Sequence, residues 1–121
     1  MKYFLLIFCF LIIGCASNNN LYDWGNYDQS LFNHYKNPDK PDAFLESLEL
    51  IIDKNAKKTG SFKKPLGPGI YAEYGYLLFE RGRYAEAKEC FIAEKKLYPE
   101  SSKLMNRMIS IILQEEERNS Q

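Results

Sequence analysis

The side chains in this 121-residue chain that could do covalent or acid–base chemistry are few, and their spacing limits what each can do. Cysteine stands at positions 9, 15 and 90, the one histidine is His34, and Glu73 and Glu80 lie seven residues apart on what reads as one helix. Seven residues along an α-helix span about 10 Å. That only loosely matches the separation of the two carboxylates in an inverting glycosidase. His34 has no second histidine and no cysteine pair beside it, so no structural zinc site is expected. No serine or cysteine nucleophile is paired with it by sequence either. Glu73 and Glu80 therefore read as a solvated helix face, and an enzyme, in the form of a cell-wall hydrolase, is the minor alternative. No metal and no cofactor is expected.

Cys15 differs because of what precedes it. A basic start at Lys2, an apolar run from Tyr3 to Ile13 and the small residue Gly14 make residues 1–14 a secretory signal peptide. The run is far shorter than the roughly 20 residues a membrane-spanning helix needs. Ile12-Ile13-Gly14-Cys15 resembles the bacterial lipobox. That resemblance implies a diacylglyceryl group on the Cys15 thiol and cleavage of the peptide bond before it, with the new amine open to a further acyl chain such as palmitate. Two or three chains anchor a protein where one binds only marginally. Ala16 occupies the second mature position, where an aspartate commonly retains such proteins in the inner membrane of enteric bacteria. The expected location is therefore the periplasmic face of the outer membrane.

Cleavage would leave 107 of the 121 residues, one small domain with a modest core. Cys90 would then be the only cysteine of the mature chain, excluding an intramolecular disulfide. Two readings stay open for it, a bridge to a partner or a small buried residue, and its place in a helical apolar pattern favours the second. The full chain carries 16 basic and 16 acidic residues, so nothing in its net charge suggests a nucleic-acid partner.

The elements that position these residues are helices. Residues 15–21, with three consecutive asparagines, form a tether that reaches about 20 Å at most, keeping the folded part near its membrane. A helical domain is expected over residues 22–118, with a frayed tail at 119–121. Tyr27, Leu31, Phe32 and Tyr35 follow helical spacing until Asn37-Pro38. A second helix starts near Asp39 to Asp42 with Pro41 in its first turn, and its stripe is Phe44, Leu45, Leu48, Ile51 and Ile52. Residues 57–69, with four lysines, three glycines and two prolines, form a loop. Solvation is the favoured state of its lysines, with anionic lipid as the other contact open to them. A third helix runs from Gly69 to Arg81, Gly82 makes the turn, and a fourth runs from Tyr84 to Leu97 before Pro99 stops it. Glu100-Ser101 caps a fifth, whose apolar positions are Leu104, Met105, Met108, Ile109, Ile112 and Leu113 and which ends in Glu115 to Arg118. The expectation is an all-α fold of about five helices.

Tyr71, Tyr74, Gly75, Leu78, Gly82, Tyr84, Ala87, Phe91 and Pro99 are spaced as in a tetratricopeptide repeat, which this stretch resembles. Glu94 departs from the pattern, standing where the repeat usually has alanine. The resemblance implies antiparallel helical hairpins, and since one repeat cannot bury its own faces, the other helices must complete the stack. It also implies a concave groove lined by Ala72, Tyr76, Phe79 and Glu80, with Tyr76 and Phe79 as candidate partner-binding anchors.

A wider resemblance rests on Tyr22-Asp23-Trp24-Gly25-Asn26-Tyr27, on Pro68-Gly69-Ile70-Tyr71-Ala72-Glu73-Tyr74-Gly75, on Glu94-Lys95 and on Tyr98-Pro99-Glu100-Ser101. These look like an uncharacterised family of small bacterial lipoproteins. Its members are often encoded beside a lipoprotein related to the curli secretion pore. Where that pattern prefers two prolines before the glycine, this chain has Gly67-Pro68. The resemblance implies a place and partners, other envelope lipoproteins, but no chemistry. The expected function is a membrane-anchored interaction or accessory module of a cell-envelope assembly, with a carrier of a small apolar ligand or lipid as the alternative.

Overall fold

Punctuation by proline and glycine divides the chain as the residue pattern predicts. The computed structural model describes residues 20–121. It has five α-helices: α1 (Tyr27–Lys36), α2 (Pro41–Ala56), α3 (Ile70–Glu80), α4 (Tyr84–Leu97) and α5 (Ser102–Asn119). Short 3-10 turns occupy Gly60–Phe62 and Pro99–Ser101. The fold is all-helical, and among the described residues the only β-type pairing is an isolated parallel bridge between Asp23 and Leu66. The expected signal peptide and Cys15 lie outside the described residues.

Pro41 opens α2, where its missing N–H would find no helical partner in any case. Gly82, at φ +72°, makes the turn that lets α3 and α4 fold back on each other. Packing follows chain order: α3 lies most extensively on α4, α4 on α5, α1 on α2, and α2 on α3. Helices that touch chiefly their neighbours in sequence make a stack of hairpins rather than a bundle around one axis.

The core runs through that stack. Phe44, Leu48 and Ile51 of α2 meet Ile70, Tyr74 and Leu78 of α3, which meet Ala87 and Phe91 of α4, while Met105 and Ile112 of α5 close the far end. Burying one such large side chain is worth about 1.5–3 kcal/mol. The α3–α4 contact depends on Gly75: a Cβ there would stand 2.9 Å from both Cys90 Cβ and Phe91 Cε1, closer than real side chains approach.

Three details correct the sequence reading. In α5 only Met105 and Ile112 are fully buried, with Met108 and Ile109 packed partly against the core and Leu104 and Leu113 exposed. This terminal helix has one neighbour, so its buried stripe is narrower. Ser101 does not cap it through its side chain; its hydroxyl donates back to the Tyr98 carbonyl at 2.7 Å. Residues 57–69 are more than a solvated loop, since Leu66 is 1% exposed and belongs to the core.

Candidate functional site

The repeat register assigns four α3 residues to a groove, and the structure divides them. Tyr76, at 46%, and Glu80 are exposed. Ala72 and Phe79 are half-buried and pack against the core, and the Phe79 ring lies 5.6 Å from that of Tyr84. Phe79 thus joins α3 to the start of α4. On either side of Tyr76, Tyr74, Gly75 and Leu78 are buried, so the exposed ring stands on a helix whose other face is fixed. Glu80, one turn on, raises the Tyr76 phenol above its ordinary pKa. An aromatic ring that is apolar in body and polar at its tip suits a surface that is covered on binding and wet otherwise.

Glu73 is not part of a solvated face. Its carboxylate accepts a 2.6 Å hydrogen bond from the Tyr27 hydroxyl, tying α1 to α3. Burial, and then this carboxylate, push the Tyr27 phenol far up. Cys90 is buried against Gly75, and burial, followed by Glu89 and Glu86, pushes its thiol up to about 11. A thiol so seldom ionised near neutral pH is a poor nucleophile. His34 stacks on Phe44, with centroids 4.9 Å apart, beside an open depression of about 320 Å³ lined by Ser30, Asn33, Lys40 and Ser47.

Glu94, the departure from the repeat pattern, has a structural cause. It is 2% exposed, and its Oε1 accepts the Gly69 N–H at 2.7 Å. Gly69 is the residue before α3, held at φ +95°. A carboxylate from α4 therefore takes up an N–H at the start of α3, where the macrodipole also favours negative charge. An alanine could not do this. Glu94 Oε2 is buried without a partner among the described residues.

The densest polar cluster lies where the chain enters the fold, and the sequence reading did not assemble it. Asp23 N donates to the Pro65 carbonyl at 2.8 Å, and Gly67 N donates to the Asp23 carbonyl at 3.1 Å. The Asp23 carboxylate accepts from Asn55 Nδ2 at 2.8 Å and pairs with Lys58 Nζ at 2.6 Å. Asn55 also donates to the Lys64 carbonyl at 2.9 Å. The Lys58 hydrogen bond, and then that of Asn55, hold the Asp23 carboxyl below its ordinary value. The Trp24 ring covers Gly67, and Tyr98 donates its hydroxyl to the Leu66 carbonyl. Tyr22 stands between Trp24 and Tyr98, edge-on to both, at centroid distances of 6.4 and 5.9 Å. One sign of this clasp was present in the sequence: Asn55 continues the spacing of Phe44, Leu48 and Ile51, and a polar residue on an apolar stripe needs a partner.

The segments quoted above for the wider resemblance thus meet in space, Tyr22 to Gly25 on the loop before α3 and Glu94 and Tyr98 behind it. Fold and clasp define a small all-helical domain of stacked hairpins whose entering segment is locked to an internal loop. The family described as Domain of unknown function (DUF4810) matches residues 21–108, and the chain belongs to it. No curated protein and no solved structure matches the chain.

Proposed function

We propose that this protein is a lipoprotein of the cell envelope, acylated on Cys15 and held at the periplasmic face of the outer membrane, where it serves as an interaction module of a larger assembly. The observation that carries the interaction reading is Tyr76, nearly half exposed in the middle of a helix whose opposite face, Ile70, Tyr74, Gly75 and Leu78, is buried in the core. A rigid aromatic loses little conformational entropy on binding, and such side chains dominate interface energetics. The tetratricopeptide-like arrangement supports the same reading, since hairpins stacked in chain order offer a continuous face along alternate helices. The anchor rests on Ile12-Ile13-Gly14-Cys15 behind an apolar leader. Among the described residues no helix is long and apolar enough to cross a membrane. The partners most consistent with the wider resemblance are other envelope lipoproteins.

Two variants test the two halves of this reading. Replacing Cys15 with Ala removes the only acyl acceptor in the motif, leaving an unprocessed precursor; equal masses for variant and wild type would refute the lipoprotein assignment. Replacing Tyr76 with Ala removes an anchor worth about 2 kcal/mol, a roughly thirtyfold loss of affinity. Pull-downs from detergent-solubilised envelopes should then lose the wild-type partner. A folded, acylated Tyr76 variant that recovers the same partner would refute the surface assignment.

A further inference from the structure

We propose that the lysine-rich face around the entry of the chain is a contact surface for anionic phospholipid headgroups, laying the domain against the bilayer that holds it. This rests on the anchored reading above for its geometry. Residues 53–69 carry five lysines against the single acid Asp53, in a chain whose formal charge is zero, so the remainder is net acidic. Three adjoining depressions make four of these lysines, Lys54, Lys58, Lys63 and Lys64, one surface, and Lys57 caps the end of α2 between Lys54 and Lys58. Lys54 and Lys58 line the first with Asp23 and Asn26; Lys58 and Lys64 line the second with Asn20, Tyr22 and Trp24; Lys63 and Lys64 line the third with Leu66 and Leu97. Lys58 belongs to the first two and Lys64 to the last two, so the face is continuous around residue 20, and Lys64 Nζ donates to the Asn20 carbonyl.

The chemistry of the face is that of a membrane surface. Lys58 is already paired with Asp23, whereas Lys54, Lys57 and Lys63 have no ion pair among the described residues. Exposed Leu21 and the partly exposed Trp24 sit beside them. Basic side chains beside a tryptophan suit the boundary between headgroups and acyl chains, where each lysine gains from the negative surface potential. Position supplies the occupant. Asn20 lies only five positions after Cys15, a reach of about 18 Å even when fully extended. A face that includes Asn20 therefore cannot stand far from the lipid that carries the acyl chains.

Trp24 is the sole tryptophan and reports the contact directly. The protein purified from envelopes with its native N-terminus is reconstituted on vesicles of phosphatidylcholine alone and of phosphatidylcholine with phosphatidylglycerol, each doped with brominated lipid. On the anionic vesicles the Trp24 emission should shift to the blue and be quenched. Both effects should reverse in about 0.5 M salt, where the Debye length is about 4 Å. The triple variant Lys54→Gln, Lys57→Gln, Lys63→Gln should behave on anionic vesicles as wild type does on neutral ones. At roughly fivefold per lysine, its ratio of membrane-laid to free-standing domain falls roughly 100-fold. Equal quenching on the two lipid compositions, or in wild type and triple variant, would overturn the proposal. Flotation with the neutral vesicles reads the acyl anchor separately: losing it counts against the lipoprotein reading, while the anionic vesicles still decide the lysine face.

Discussion

Replacing Gly67 with Ala tests the clasp at its tightest point. A Cβ on Gly67 would lie 2.6 Å from Trp24 Cδ2, with two further ring atoms nearer still. The ring cannot slide aside, because Asp23 next to it is bonded to the loop through both its N–H and its carbonyl, and Tyr22 and Tyr27 flank it. Either the ring rotates out or the bridge opens. A tryptophan buries 150–250 Å² when covered, and this one is 38% exposed, so ejecting it loses roughly 100–150 Å², or about 2–4 kcal/mol. Partial repacking brings the cost towards the ~1–3 kcal/mol typical of overpacking. The gain from removing a glycine from the unfolded chain is only about 0.4–1 kcal/mol and does not offset this. A net loss of about 2 kcal/mol lowers the melting temperature of a domain this size by roughly 8–16 °C. Circular dichroism reads the melt, and the single tryptophan reads the cause through a red shift of its emission. A variant with unchanged melting temperature and unchanged emission would refute the close packing of Trp24 on Gly67.

The helix register and the ion pair at the clasp can be tested in the same way. Gly75→Leu and Ala87→Leu force bulk between α3 and α4 and should each cost about 1–3 kcal/mol or more, whereas Glu86→Ala removes a solvent-screened exposed pair with Arg83 and should leave the melt nearly unchanged; equal melts for all three would mean the register is wrong. The Asp23 carboxyl is held below its ordinary value by Lys58 and Asn55, so its contribution is present above the unfolded pKa near 4 and is lost as pH falls through the lower, folded value. The gap in melting temperature between wild type and Asp23→Asn should therefore shrink between about pH 7 and pH 3, and a gap of constant size would show that the carboxylate charge does not stabilise the clasp.

What the sequence made legible is what local rules govern. Pro41, Gly82 and Pro99 mark element ends through backbone constraints that act within one turn, and α4 spans Tyr84–Leu97 as expected. The stripe of α2 and the close approach at Gly75 follow from helical period alone. Long-range choices were not legible. Leu66 is an isolated apolar residue between basic and glycine-rich stretches, with no period to mark it as core; core residues distant in sequence bury it, and Tyr98 takes up its carbonyl. Glu73 looked like half of a solvated pair because its partner, Tyr27, lies on another helix. Of the four residues assigned to the groove, Tyr76 and Glu80 are exposed. Ala72 and Phe79 turn partly inward onto the core, Phe79 beside Tyr84 at the start of α4, a contact between helices that no local rule reveals.

The bridge between Asp23 and Leu66 also shapes how the molecule comes apart. It closes a ring of about 40 residues that contains α1 and α2, and closing such a ring costs roughly 3 kcal/mol of chain entropy beyond any local helix formation. Hairpins stacked in chain order would otherwise fray from the ends, one after another. Here the first hairpin has no free end, since the segment that leads into it is fastened to the one that introduces α3. It opens only when the fastening opens, and its amide hydrogens then become exchangeable together with those of residues 23 and 67, as one cooperative unit rather than a fraying terminus.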